Sequence, residues 1–221
     1  MKKNLSAKDL NLPDYTKAEE WMNALSHLLG AVMSIGVLIL CLQRSEGFLT
    51  RLSSWIYGLS MATVYTVSGL YHSFRPGTKK KKLQIADHCV IYLLIAGTYT
   101  PILLGRFADT FPVIGYGLLA FQWILSAVAI LLTAIDMEKH TVFSMTCYIL
   151  LGWSIIFFYP QASAAIGQQG FLWLLSGGIA YTVGAILYGI GGKVRWMHGV
   201  FHIFVLLGSL LQFVPIYGYC L

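Results

Sequence analysis

Six stretches of this chain carry no Asp, Glu, Lys or Arg: 21–43, 52–74, 88–105, 110–135, 140–192 and 196–221. A bilayer-crossing helix needs about 20 apolar residues, within a range of about 17–25. Five of the stretches therefore fit one helix each. The stretch 140–192 is too long for one. Proline, glycine and amides gather at Tyr159-Pro160-Gln161 and again at Gln168-Gln169-Gly170, and such clusters break helices. Two helices, over 141–159 and 171–191, account for it. The pattern predicts an all-α integral membrane bundle of seven transmembrane helices. It forms a single domain over 21–221, behind a polar N-terminal segment at 1–20.

Composition agrees with the pattern. The chain is 57% hydrophobic and only 11% charged, where a soluble domain carries about 25% charged residues. Its net charge of +6 does not point to nucleic acid, because the basic residues sit in short loops between apolar runs. Basic loops beside a membrane set topology and meet anionic lipid. Lys2, Lys3, Lys8, Lys17, Arg75, Lys79, Lys80, Lys81, Lys82, Lys139, Lys193 and Arg195 fall on one side of the seven-helix layout. Only Arg44, Arg51 and Arg106 fall on the other. That bias predicts a cytoplasmic N-terminus, an outside C-terminus and a cell-membrane location, and it makes Lys79–Lys82 a topology anchor. The start of the chain is polar, and no cleavable signal peptide is expected. Cys41, Cys89, Cys147 and Cys220 lie in separate apolar runs without CxxC spacing; they are expected to be buried small hydrophobes.

Against this apolar background, ionisable residues within the spans are functional candidates. Ser68 and His72 share one face at the end of the second predicted helix, being four apart. Asp87 starts the third. His198 and His202 start the seventh, again on one face. All five fall within roughly two turns of the same boundary, at about 1.5 Å per residue. Three imidazoles with a nearby carboxylate suit zinc that keeps an open position. His72, His198 and His202 are the expected ligands. Asp87 either ligates directly or holds and deprotonates a bound water, and Ser68 hydrogen-bonds that water or Asp87. Histidine also serves copper, iron and nickel. Glu20, Asn23 and His27 share a face at the start of the first helix and either brace the site or help helices pack. His88 points about 100° away from Asp87, which gives it a packing or supporting role.

The motifs E20-x-x-N23-x-x-S26-H27, S68-x-x-x-H72, D87-H88 and H198-x-x-x-H202, in this order, resemble the haemolysin III branch of the progestin and adiponectin receptor family. The phrase AGTYTPILL at 96–104 is similar to the family's third helix. The resemblance covers nearly the whole chain. It implies seven helices, a cytoplasmic N-terminus and zinc near the cytoplasmic leaflet, with His72, His198 and His202 as its ligands. It also implies that Asp87 reaches the metal-bound water and that Ser68 is the motif serine. A link to ceramidase-like hydrolysis follows from the same resemblance.

Three functions compete at this stage. The first is a zinc-dependent hydrolase of lipid amides or esters, with membrane lipid as partner. The second is a non-enzymatic regulator of membrane lipid homeostasis, with zinc stapling helices together. The third is a pore-forming haemolysin, for which the sequence shows no soluble-to-membrane switch segment and no amphipathic pore-lining helix. Ion transport would need a buried acid mid-membrane, and none is present.

Overall fold

Thr16 begins the first helix. Its hydroxyl accepts the Glu19 N–H at 3.2 Å, and the Glu19 carboxylate accepts the Thr16 N–H at 2.8 Å. This reciprocal cap satisfies donors that the first turn leaves free and sets the start of α1, Lys17–Arg44. The computed structural model describes residues 10–192 and 194–221. After α1 come α2 (Phe48–Ser73), α3 (Thr78–Ile102), α4 (Pro112–Ile135), α5 (Thr141–Trp153), α6 (Tyr159–Gly191) and α7 (Met197–Pro215). The described residues contain no strand.

Five helical stretches are long and apolar enough to cross a membrane: Lys17–Arg44, Thr78–Thr110, Pro112–Ile135, Thr141–Gly191 and Met197–Cys220. The surface is inverted relative to a soluble protein. Leu25, Leu29, Val32 and Ile35 of α1 point outward, as do Ile124, Leu131 and Ile135 of α4. Ser34, Gln122, Ser126, Thr133 and Ser209 are buried. Apolar side chains facing lipid and polar ones between helices make this a multi-pass membrane protein. Helix α1 packs along α2, α2 along α3, and α6 along α7, while α7 also meets α1. The core between them is built on Tyr57, Met61, Tyr65, Ile102, Leu103 and Phe107.

Two boundaries differ from the sequence pattern. Within 140–192 the first break comes before Pro160. Residues Ser154–Phe158 tighten into a 3-10 turn, and Pro160 sits in the first turn of α6. Proline is well placed there, since the missing N–H has no helical partner in any case. The second break is at Gly167, with φ 73° and ψ 158°, a conformation open to glycine and awkward for other residues. The lysine run also moves. Helix α3 starts at Thr78, so Lys79–Lys82 form its first turns rather than a loop. Lys2, Lys3, Lys8 and Lys193, which enter the charge bias, lie outside the described residues.

Candidate metal centre

The residues of interest gather at one end of the bundle because of where each sits in its helix. His72 is in the last turn of α2, His198 and His202 in the first two turns of α7, Glu20 in the first turn of α1, and Lys80 and Asp87 in the first three turns of α3. Gly199 is a point of close approach between α7 and α1. A Cβ there would lie 2.9 Å from Met22 Cε and 3.1 Å from Asn23 Oδ1, so a larger residue would displace the Met22 and Asn23 side chains beside the site.

His72, His198 and His202 are all buried, and one ligand atom from each lies within 4.8 Å of the others. His198 Nε2 is 3.2 Å from His72 Nε2 and 3.1 Å from His202 Nε2. Metal–nitrogen bonds of about 2.0–2.1 Å in tetrahedral array place ligand nitrogens about 3.3 Å apart. The observed spacing matches.

Hydrogen-bond chemistry points the same way. The Glu20 carboxylate lies 2.8 Å from His72 Nδ1. His202 Nδ1 faces the Asn23 carbonyl at 3.1 Å and Ser26 Oγ at 3.3 Å, and that hydroxyl donates to the same carbonyl at 2.9 Å. Carboxylate and carbonyl oxygens only accept, so both rings carry their proton on Nδ1. Their Nε2 lone pairs therefore face His198. A proton on His198 Nε2 serves one of the two, and a lone pair is left without a donor. A cation accepts all three, so the residues present fit a divalent metal.

The other expected residues divide. Asp87 stands outside the 4.8 Å group, so it is not a fourth ligand within that group. Asp87 and Ser68 line a cavity of roughly 180 Å³ that also touches His27 and His198 and runs inward past Ile95 and Phe171. His88 bonds elsewhere: Nδ1 meets the Gln84 carbonyl at 2.8 Å and Nε2 meets Tyr188 Oη at 3.1 Å. His27 stacks on His202, with ring centroids 3.6 Å apart and planes 11° from parallel. Neither of its ring nitrogens meets a polar partner among the described residues, nor do the Asn23 side-chain atoms. Asn23 contributes through its backbone carbonyl, and Glu20 directly through its carboxylate.

Sequence reasoning passed over two residues. Lys80 is buried and bonds the second oxygen of Glu20 at 2.5 Å. It sits seven residues before Asp87, two helical turns on the same face, which was the available signal. Tyr15, outside the spans, stacks on His198 with centroids 4.9 Å apart. Burial pushes its phenol well above the usual range. Nothing in its neighbourhood in the chain announces that contact.

The model of the family described as "Haemolysin-III related" matches residues 15–213. The chain is 35% identical over 209 residues to "Hemolysin-3 homolog" of Bacillus subtilis (strain 168), covering 93% of this chain and 96% of that protein. It is 37% identical over 206 residues to "Hemolysin-3" of Bacillus cereus, covering 92% of each. "Monocyte to macrophage differentiation factor" of Homo sapiens is 24% identical over 208 residues, covering 91% of this chain and 84% of that protein.

Proposed function

The chain belongs to the haemolysin-III-related family, the haemolysin III branch of the progestin and adiponectin receptor family, and on that premise we propose that it is a zinc-dependent hydrolase of lipid amide or ester bonds. One observation carries the reading. Three imidazole ligand atoms converge on one point, and one of the three residues, His198, also lines a cavity of roughly 180 Å³ whose wall carries Asp87 and Ser68. In this reading the chain crosses the membrane seven times: the five long apolar stretches make six crossings once the 3-10 turn and Gly167 divide Thr141–Gly191, and α2 makes the seventh. Its histidine end faces the cytoplasm, as the charge bias requires, and the membrane is a bacterial plasma membrane.

His72, His198 and His202 hold the metal. Bound zinc supplies Lewis acidity toward a carbonyl oxygen and toward water. The chain's own groups do the rest. An Asp87 carboxylate oxygen takes the proton of the attacking water and returns it to the leaving amine or alcohol. The Ser68 hydroxyl orients that carboxylate. Glu20 and the Asn23 carbonyl keep His72 and His202 in the ligating tautomer. The cavity is smaller than the about 300–1,000 Å³ of a drug-sized ligand site. It suits a length of acyl chain, with the scissile bond at the polar end, and its apolar wall excludes water.

The test is a hydrolysis screen over lipid amides and esters in vesicles, with metal content measured on the same samples. Asp87→Ala is expected to lower kcat by at least ~100-fold, the lower end of general acid–base catalysis, while keeping its metal. Zinc-replete wild-type protein with no turnover on any lipid of the screen would overturn the hydrolase. The histidines would then be a staple between α2 and α7.

A further inference from the structure

Lys79 and Lys82 are exposed, and Lys81 is half-buried against Glu138. Lys80, in the middle of the run, is 1% exposed. A lysine is almost never this buried unless its ammonium is compensated. Here Nζ donates to Glu20 Oε1 at 2.5 Å and to the Phe74 carbonyl at 3.0 Å, and it lies 4.9 Å from the centroid of the Tyr71 ring. Such a ring face also attracts a cation. The second oxygen of Glu20 is the one 2.8 Å from His72 Nδ1. One carboxylate thus joins the ammonium of α3 to the imidazole of α2, with both oxygens committed.

An ion pair between a buried Lys80 and a part-buried Glu20 is a poor device for stability alone, since an apolar pair of similar volume serves as well. The arrangement has a clearer use in orientation. A carboxylate with only one partner can rotate about its side chain. Held through Oε1, it presents Oε2 to Nδ1 in one direction. That direction fixes the plane of the His72 ring and keeps Nε2 turned toward His198 and His202.

We propose that Lys80 is a positioning residue of the metal centre, acting on His72 through the Glu20 carboxylate. This rests on the reading that His72, His198 and His202 hold a divalent metal. Lys80 touches neither the metal nor a substrate. It sets the geometry of one ligand from the far side of its hydrogen-bonded partner.

The experiment uses the full chain in detergent, titrated with zinc against a chromophoric chelator and with cobalt(II) followed by its visible spectrum. Lys80→Met is expected to weaken metal binding about 10–100-fold, the range for loss of an outer partner of a ligating histidine, and to shift the cobalt spectrum toward that of His72→Ala. Lys80→Arg should recover affinity and spectrum, and Lys79→Met should match wild type. In a Glu20→Gln background, Lys80→Met should add no further loss. Wild-type affinity and spectrum in Lys80→Met overturns the proposal, as does multiplication of the Lys80 and Glu20 losses. If Lys80→Met does not fold, Glu20→Gln alone decides it: a wild-type cobalt spectrum there removes the link to His72. Loss of metal in His202→Ala, with Lys80→Met unaffected, sinks this inference and leaves the metal centre intact. Wild-type protein that binds neither metal removes both.

Discussion

Two buried polar clusters sit on the same faces of α2 and α7, and only one of them could hold a metal ion. His72 and His202 belong to the first. Tyr65 and Ser209 lie seven residues deeper on each helix, roughly 10 Å by helical rise, and form the second together with Tyr181 of α6. The hydroxyls close on themselves: Tyr65 Oη lies 2.6 Å from Ser209 Oγ, Tyr181 Oη lies 2.7 Å from the same atom, and the Val205 carbonyl is 3.3 Å from Tyr65 Oη. Tyr181 donates to Ser209, Ser209 to Tyr65 and Tyr65 to the Val205 carbonyl, so each of the three protons has an acceptor. The imidazoles cannot do this. With Nδ1 committed to Glu20 and Asn23, their Nε2 atoms present more lone pairs than protons. The two clusters share the same helix faces at different depths, and donor chemistry makes one a closed tie and leaves the other able to take a cation.

The sharpest way to break that contrast is at His202. Replacement by alanine should lower zinc affinity by at least ~100-fold, the upper end of what outer-partner losses cost, as read by chelator competition. Chelation of the wild-type protein comes next. Metal at about 1,000 times its dissociation constant stabilises the folded state by about 4 kcal/mol. Its removal should lower Tm in wild type and leave His202→Ala unmoved. Tyr65→Phe probes the other cluster: a loss of about 1 kcal/mol in stability, as for a typical hydrogen bond, with zinc content unchanged. A drop in zinc content there would mean that the two clusters act as one unit.

The smallest effect lies outside both. Lys81 and then Asn11 donate to Glu138, at 2.8 Å and 3.0 Å, and hold its carboxyl below the usual carboxylate range. A depressed folded-state value contributes stability that is present above the unfolded value of about 4.3. That contribution is lost as pH falls through the lower folded value. The Tm difference between wild type and Glu138→Gln should therefore stay constant from pH 8 to about 5 and close only below about 4. A difference that instead changed between pH 8 and 6 would assign the stabilisation to another group.

Much of this protein was legible in one dimension. Long charge-free stretches reveal helices and a lipid environment, because a bilayer accepts little but apolar helix over about 30 Å. The positions four apart in S68-x-x-x-H72 and H198-x-x-x-H202 share a face by helical geometry alone, which is why the three histidines could be named together. The break in 140–192 was placed late because proline was read as a helix stop, whereas Pro160 opens α6. The sequence makes Lys80, like its neighbours, part of a topology anchor, because the four lysines are chemically identical along the chain. Only the tertiary arrangement, in which α1 and α3 both flank α2, separates them, drawing one ammonium to Glu20 and leaving Lys79 and Lys82 exposed. Tyr15 over His198 is decided in the same way. Local sequence fixes a residue's face and depth through the helical repeat. Which partner waits at that depth depends on neighbouring helices, whose approach is set by contacts remote in the chain, such as Gly199 against Asn23.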